Sequence, residues 1–395
     1  MKILVLDFRI YSIEYEIFDM PDEKEICYGR IEHIGFEHSI LTHYANGKIE
    51  KTVEPALNHM NGLKLIVNYL KKKNFDIEND VSAIGHRVVH GGGRFTSPVM
   101  IDKDVKKEIY NDFLIAPMHN PYNFMGIEAA EKLLPGKINV AVFDTSFHQT
   151  IPEKAYKYAL PERIFDEYKV RKYGFHGISH KYMAERTASL MKKEKPNIIS
   201  FHLGAGSSIC AIREGKSVDT SMGFTPLEGL VMTNRPGDID AGVLLYLLKL
   251  GWSVEELDSC VNKESGTLGI SGISDGMKEI VNNAQKGDEK ARLAVDIFVY
   301  RAIKYLGAYF FALSGDVDAI SFTGGIGENS YIIRESILKP CEKFGIILDT
   351  EKNKSTVGRE GEISAAESKI KIFVLPKNEK VIVAKETLRL LKSSK

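Results

Sequence analysis

The sequence predicts an α/β chain of two duplicated domains flanking a cleft. Three observations lead there. The 395 residues exceed what one ordinary core needs and suit two domains. Short apolar runs end abruptly in polar or glycine-rich sequence, as parallel strands do where their carboxyl ends open on a site. A strand–turn–strand start also occurs twice: residues 4–17 can be laid on residues 200–212, matching Ser12-Ile13 to Ser208-Ile209. The two serines read either as marks of duplication or as plain turn residues.

In the first domain, residues 2–6 read as a buried strand and residues 12–18, which alternate, as its hairpin partner. Helical spacing covers residues 63–72 and 122–134. Residues 83–89 and 140–143 are apolar runs that stop at polar sequence, so they read as parallel strands. In the second domain, residues 197–202 form a strand and residues 208–213 return through Gly204-Ala205-Gly206. Glu214-Gly215 then turns the chain into residues 216–220. Helices are expected at residues 176–191, 241–250, 255–261 and 291–313. Residues 319–322 form a strand that ends in the glycine-rich turn Thr323 to Asn329. Residues 370–375 are the last strand and 379–392 the last helix. Domain bounds follow as 1–148 and 149–378, with 379–395 as a terminal segment.

Formal net charge is zero and no basic block occurs, which speaks against nucleic-acid or anionic-membrane partners. Cys27, Cys210, Cys260 and Cys341 are scattered without metal-ligand spacing and read as reduced thiols of a cytoplasmic protein. Residues 1–6 are too short a run, cut by Asp7, to be a signal peptide. No apolar run approaches membrane-spanning length.

Polar clusters sit at the ends of the apolar runs. Arg87 lies in His86-Arg87-Val88-Val89-His90-Gly91-Gly92 and is either an exposed edge charge or an inward anion clamp. Asp144, at a strand end, is either a cap or a site residue. His176, in Tyr173-Gly174-Phe175-His176-Gly177, is either structural or functional. Arg235 lies in a rigid loop, Asn234-Arg235-Pro236-Gly237-Asp238. Two arginines, an aspartate and a histidine suit a planar anion and the charge of a transferring phosphoryl group. The turn Thr323 to Asn329 either lets a phosphate approach the backbone or only needs glycine conformations. Gly204-Ala205-Gly206-Ser207-Ser208 is a second such turn. Neither is a Walker A loop, because no Gly-Lys-Ser/Thr follows.

As an ordered set these motifs resemble the acetokinase family, within the actin/hexokinase-like (ribonuclease H-like) phosphotransferases. The resemblance runs from the Arg87 motif through Ala116-Pro117-Met118-His119-Asn120-Pro121, Phe143-Asp144-Thr145, the His176 motif, His202-Leu203-Gly204 and residues 219–229. It continues through Arg235 and Thr323 to Asn329, and ends at Asn378-Glu379. It implies reversible phosphoryl transfer from ATP to acetate, giving acetyl phosphate and ADP. Arg87, Asp144, His176 and Arg235 would be catalytic. Arg87, Val89, Met118, His119, Phe175 and Pro226 would receive the acyl group. His202, Leu203, Gly204, Ala205, Gly206, Asp275, Gly276, Met277, Gly325, Ile326, Gly327, Glu328 and Asn329 would hold the nucleotide. Asp7 and Glu379 would bind magnesium or manganese. The resemblance also implies a homodimer and a last helix packed back on the first domain. A carboxylate acceptor, with a pKa of about 4, is already ionised and needs no strong base, so Asp144 reads better as a positioner of an arginine or metal.

The sequence departs from the family at several nucleotide-side positions. The usual Asn-Ala-Gly-Ser-Ser-Ser-Leu-Lys reads Asp7-Phe8-Arg9-Ile10-Tyr11-Ser12-Ile13-Glu14, replacing a phosphate-side lysine with Glu14. At ~4 Å and an effective dielectric of ~20 each unit charge is worth about 4 kcal/mol, enough to disrupt phosphate binding unless Arg9 compensates or Glu14 points away. Ala205 and Ser274-Asp275-Gly276-Met277-Lys278 also differ from the usual residues. The expectation is weak or atypical use of ATP. Pyrophosphate as donor, propionate as acceptor and a catalytically weakened homologue are the alternatives.

Overall fold

The computed structural model describes residues 1–393, so the last two residues of the predicted 379–395 segment lie outside the described residues. The chain divides into two compact units. One comprises Met1–Phe147 with the C-terminal segment from Asn378, the other His148–Lys377.

The first unit is built on an eight-stranded sheet: β1 (Lys2–Arg9), β2 (Ser12–Asp19), β3 (Lys24–Glu32), β4 (Ser39–Ala45), β5 (Lys48–Glu54), β6 (Val81–Val88), β7 (Val99–Met100) and β8 (Ile138–Phe143). Their order is β5-β4-β3-β2-β1-β6-β8-β7. β1 is central and buried along nearly its whole length. It runs antiparallel to β2 and parallel to β6, which runs parallel to β8. Two close approaches fix the helices on this sheet. A Cβ on Gly126, in the helix Asn120–Leu133, would lie 2.5 Å from the Phe8 ring. One on Gly85 of β6 would lie 2.6 Å from Thr387 Oγ1, in the helix Glu379–Ser393. The last helix thus packs on the N-terminal sheet, with Val381, Ile382, Val383 and Leu388 buried.

The second unit carries β9 (Ile198–Leu203), β10 (Ser207–Arg213), β11 (Lys216–Thr220), β12 (Ala319–Thr323), β13 (Gly361–Glu362) and β14 (Lys371–Val374), in the order β11-β10-β9-β12-β14-β13. Six strands of the first sheet, β3-β2-β1-β6-β8-β7, match this order one for one. In both, an antiparallel meander feeds two parallel strands, and a two-residue strand pairs antiparallel at the edge. The duplication is therefore topological, while the matching sequence is short.

Several expectations change. Strands β3, β4 and β5 were not anticipated. β5 is an edge strand with Lys48, Glu50, Lys51 and Glu54 along it, the charged composition that blunts an edge and hides its strand pattern. The turn Thr323 to Asn329 is a short helix, Gly324–Asn329. The helix expected at residues 255–261 ends at Ser259 and passes into a π-helical turn. Ser208 is a buried strand residue rather than a turn residue.

Candidate active site

In the first unit three neighbouring parallel strands carry charge at their carboxyl ends: Asp7 on β1, Arg87 on β6 and Asp144 just beyond β8. Arg87 lies on the middle strand, so its guanidinium reaches both carboxylates. Nε and Nη2 contact the two Asp144 oxygens at 3.2 and 2.5 Å, and Nη1 lies 3.2 Å from both Asp7 oxygens. Such charge-assisted forks fix geometry as well as charge. Asp7 is also held by Arg9, whose Nε and Nη2 lie 3.0 and 2.7 Å from Oδ2. Burial opposes the ionisation of Asp7, but Arg87 and Arg9 together hold its carboxyl well below the ordinary range. Asp144 shares only Arg87. Burial pushes it up, Glu379 and Asp7 push the same way, and against the pull of Arg87 it reaches about 6. Glu379 is buried and within electrostatic reach of Arg87 and Asp144.

Glu14 is not an unopposed negative charge. It stands directly across from Asp7 in the β1–β2 register, and Arg9 Nη1 lies 3.2 Å from its Oε1. Lys380, second residue of the last helix, sits 2.8 Å from its Oε2. The charge reversal expected from the sequence is thus answered by a cation 366 positions later in the chain and by Arg9. Of the expected acyl-pocket residues in this unit, Val89 is buried, His119 is half-buried and Met118 is 46% exposed.

The second unit holds Arg235, His176 and the nucleotide-side residues. Arg235 donates from Nη1 to the Pro226 carbonyl at 3.0 Å and contacts Met232 Sδ at 3.7 Å. Among the described residues no carboxylate pairs with it, and burial lowers its pKa. Phe175 is buried, and Pro226 is half-buried. His176 has a left-handed backbone, φ 57°, just before the helix Gly177–Met191. Its Nδ1 is 2.9 Å from Ser208 Oγ, and its ring stacks on His202 at 4.1 Å. Gly206 keeps that ring in place by its smallness: a Cβ there would lie 3.3 Å from His176 Cε1. Ser208 also meets His180 Nε2 at 2.8 Å, and His180 Nδ1 meets Ser200 Oγ at 2.7 Å. Burial holds His180 well below its ordinary pKa, so its neutral ring links Ser200 to Ser208. Sequence reasoning missed Ser208 and His180 as supports. His180 lies one helical turn after His176, and that spacing was its available signal.

A cavity of about 780 Å³ lies in this unit, within the range that encloses drug-sized ligands. Gly204, Ala205, Asp275, Gly276, Met277, Gly325, Ile326 and Asn329 line it, together with Thr233, Val281 and Tyr331. His202, Leu203, Gly206, Gly327 and Glu328 are not among the lining residues. Glu328 turns back instead: its Oε1 accepts from Gly324 N at 2.9 Å, Thr323 Oγ1 at 3.3 Å and Lys377 N at 3.0 Å. The helix N-terminus expected to favour a phosphate therefore already carries a carboxylate. Gly324 needs its glycine for backbone reasons, with φ +81° and a virtual Cβ 2.5 Å from the Leu203 carbonyl, whereas Gly325 opens into free space. Buried Arg334 donates to the Gly327 and Glu328 carbonyls at 2.7 and 2.9 Å, pinning the far end of this segment.

The acetokinase family model matches residues 2–385. The acetate kinase of Finegoldia magna is 47% identical over 396 residues, covering 99% of this chain and all of that protein. The crystal structure of Porphyromonas gingivalis acetate kinase superposes with a TM-score of 0.92 at 39% identity, covering 99% of each chain. A propionate kinase from Francisella tularensis also superposes at 0.92, with 37% identity over 98% of each chain.

Proposed function

The chain belongs to the acetokinase family, and from that premise we propose that it transfers the γ-phosphoryl group of ATP to acetate, reversibly, giving acetyl phosphate and ADP. An acetate oxygen attacks the γ-phosphorus, the bond to the bridging oxygen breaks, and ADP leaves with that electron pair. No proton moves, so no strong base is required. The difficulty is charge: an anion must approach a polyanion. Arg87 and Arg235 answer it, with His176 supporting the charge that develops on the phosphoryl oxygens. The observation that carries the reading is the Arg87 guanidinium fixed between Asp7 and Asp144 at the ends of three adjacent parallel strands. Asp144 acts there as a positioner of the arginine.

Among the described residues no group of three or more His, Cys, Asp or Glu is arranged to hold a metal. Magnesium does not need one, since one or two carboxylates and substrate phosphates suffice. Asp7, Asp144 and Glu379 supply hard oxygen donors of that kind. Glu379 and Asp7 would hold magnesium or manganese, although both Asp7 oxygens also face guanidinium groups. The ion would neutralise phosphoryl oxygens when bound.

ATP is favoured over pyrophosphate because the cavity has room and apolar walls, Met277, Val281 and Ile326, for a base. Propionate stays as a second acceptor, favoured by the exposure of Met118 and the likeness to a propionate kinase. A homodimer is favoured by the helix Ala241–Lys249, none of whose residues is buried although Leu245 and Tyr246 are about 60% exposed. No helix of the described residues is long and apolar enough to cross a membrane.

The test is acetyl phosphate formation with magnesium and acetate or propionate, comparing ATP, GTP and pyrophosphate. Rapid turnover with ATP and acetate is expected, lost in excess chelator. Absence of acyl phosphate with every donor overturns the reading.

A further inference from the structure

Arg9 entered the sequence reading only as a possible counter-charge to Glu14, and Lys380 not at all. Asp7 and Glu14 face each other across antiparallel strands, a pairing of like charges that is unfavourable by itself. An incoming phosphoryl group would be repelled by the same pair. The Arg9 guanidinium lies over both, with two nitrogens on Asp7 at 3.0 and 2.7 Å and the third on Glu14 at 3.2 Å. Lys380 holds the other Glu14 oxygen at 2.8 Å. Glu16, 3.8 Å from Lys380, is pushed by burial up to about 8 and keeps its proton near neutrality, so Glu14 is the anion Lys380 serves.

Access separates Arg9 from Arg87. All three nitrogens of Arg87 contact carboxylates, and its side chain is 16% exposed. Arg9 is 39% exposed, donates two of its five N–H groups to Asp7 and pairs with Glu14 through Nη1 at 3.2 Å. Planar guanidinium forks match phosphoryl oxygens two at a time. We propose that Arg9 is an additional oxyanion-binding residue for the phosphoryl group, seated by Asp7 and Glu14, with Lys380 holding the other Glu14 oxygen. The proposal rests on the phosphoryl-transfer reading above and adds to Arg87 a second residue of the first unit that meets the phosphoryl charge.

The test uses the full chain and two readouts. Calorimetric titration with pyrophosphate probes binding without turnover, and steady-state kinetics compare acetyl phosphate with acetate. Arg9→Gln should weaken pyrophosphate binding and raise KM for acetyl phosphate about tenfold, leaving KM for acetate within about twofold. Arg9→Lys keeps a charge on Asp7 but loses the fork, and should show about a threefold loss in the same two quantities. Unchanged pyrophosphate affinity in Arg9→Lys, or in a folded Arg9→Gln, overturns the proposal, as does an equal rise in both KM values. Should the unaltered protein bind pyrophosphate in an Arg9-dependent way yet form no acetyl phosphate, the proposal stands and the acetate reading fails.

Discussion

Arg87 and Arg235 are the same residue type in opposite electrostatic settings. Arg87 is locked between two buried carboxylates, and its charge is largely answered before any ligand arrives. Arg235 has a carbonyl and a sulfur for company and, among the described residues, no carboxylate. A guanidinium with two counter-ions is a rigid, pre-aimed group; one with none keeps its full attraction for a developing negative charge. Phosphoryl transfer benefits from both, since it needs one anion positioned and another stabilised. The same asymmetry separates what each arginine does for the fold.

The largest effects test that separation. Arg87→Ala and Arg235→Ala should each lower kcat by about 10³-fold or more. Only Arg87→Ala should unfold easily, because it leaves buried Asp144 without its guanidinium and Asp7 with Arg9 alone, at a cost of about 3–5 kcal/mol. Arg235→Ala should stay within about 1 kcal/mol of the parent, having lost one hydrogen bond to a carbonyl. Denaturant melts of the two variants side by side make the comparison. Equal stability in both would break it.

Glu379→Gln is the next step down. Removing one carboxylate from the Arg87 neighbourhood should raise the magnesium needed for half-maximal rate about 10- to 100-fold, the range for groups that tune a metal site. A magnesium titration in which the variant and the parent coincide would remove Glu379 from metal binding.

The sequence made the polar ends of the parallel strands legible because an apolar run followed by Arg87, Asp144 or Thr323 is a local pattern. It also made the ordered set of motifs legible. It offered Arg9, five residues away, as one answer to Glu14 but did not show Lys380, which reaches it from the far end of the chain, and such a pairing leaves no local mark. Reading Glu14 alone gave an eroded phosphate site; reading it with Lys380 gives a compensated one. The glycine run at 323–329 left two readings open. Its composition advertised a phosphate loop, yet Gly324 answers a backbone demand and Glu328 fills the helix end. Strands β3 and β5 stayed hidden because their charged, half-exposed faces lack the apolar runs on which strand assignment relies.

A pH profile sharpens the contrast within the first unit. Asp144 stands at about 6, above its ordinary 3.8, so the folded protein holds a proton the unfolded chain releases between those values. Its contribution to stability is therefore full below about 4 and lost as pH rises through about 6. Asp7, held low by Arg87 and Arg9, works oppositely and contributes above about 4, losing that contribution in stronger acid. For activity, a protonated Asp144 releases Arg87. The rate should fall about tenfold per pH unit below 6, and that limb should disappear in Asp144→Asn, which starts from a lower plateau. An acid limb retained in Asp144→Asn would assign it elsewhere.

The smallest effect concerns the second unit and decides what its glycine segment does. Glu328 caps the Gly324–Asn329 helix from within and also ties Lys377 to it. Were that helix end a phosphate receptor, Glu328 would repel the ligand, and Glu328→Gln would lower KM for ATP. If instead the cavity is set by the Gly204–Ala205 turn, Met277 and the open face of Gly325, the variant should leave KM for ATP within about twofold and cost about 1 kcal/mol, the usual worth of a cap. The geometry favours the second outcome, because the carboxylate accepts three hydrogen bonds and is not among the residues lining the cavity. A marked fall in KM for ATP would return the phosphate to the helix end. The anion-binding burden would then shift from the arginines to backbone amides, and the contrast between Arg87 and Arg235 would matter less for turnover than for folding.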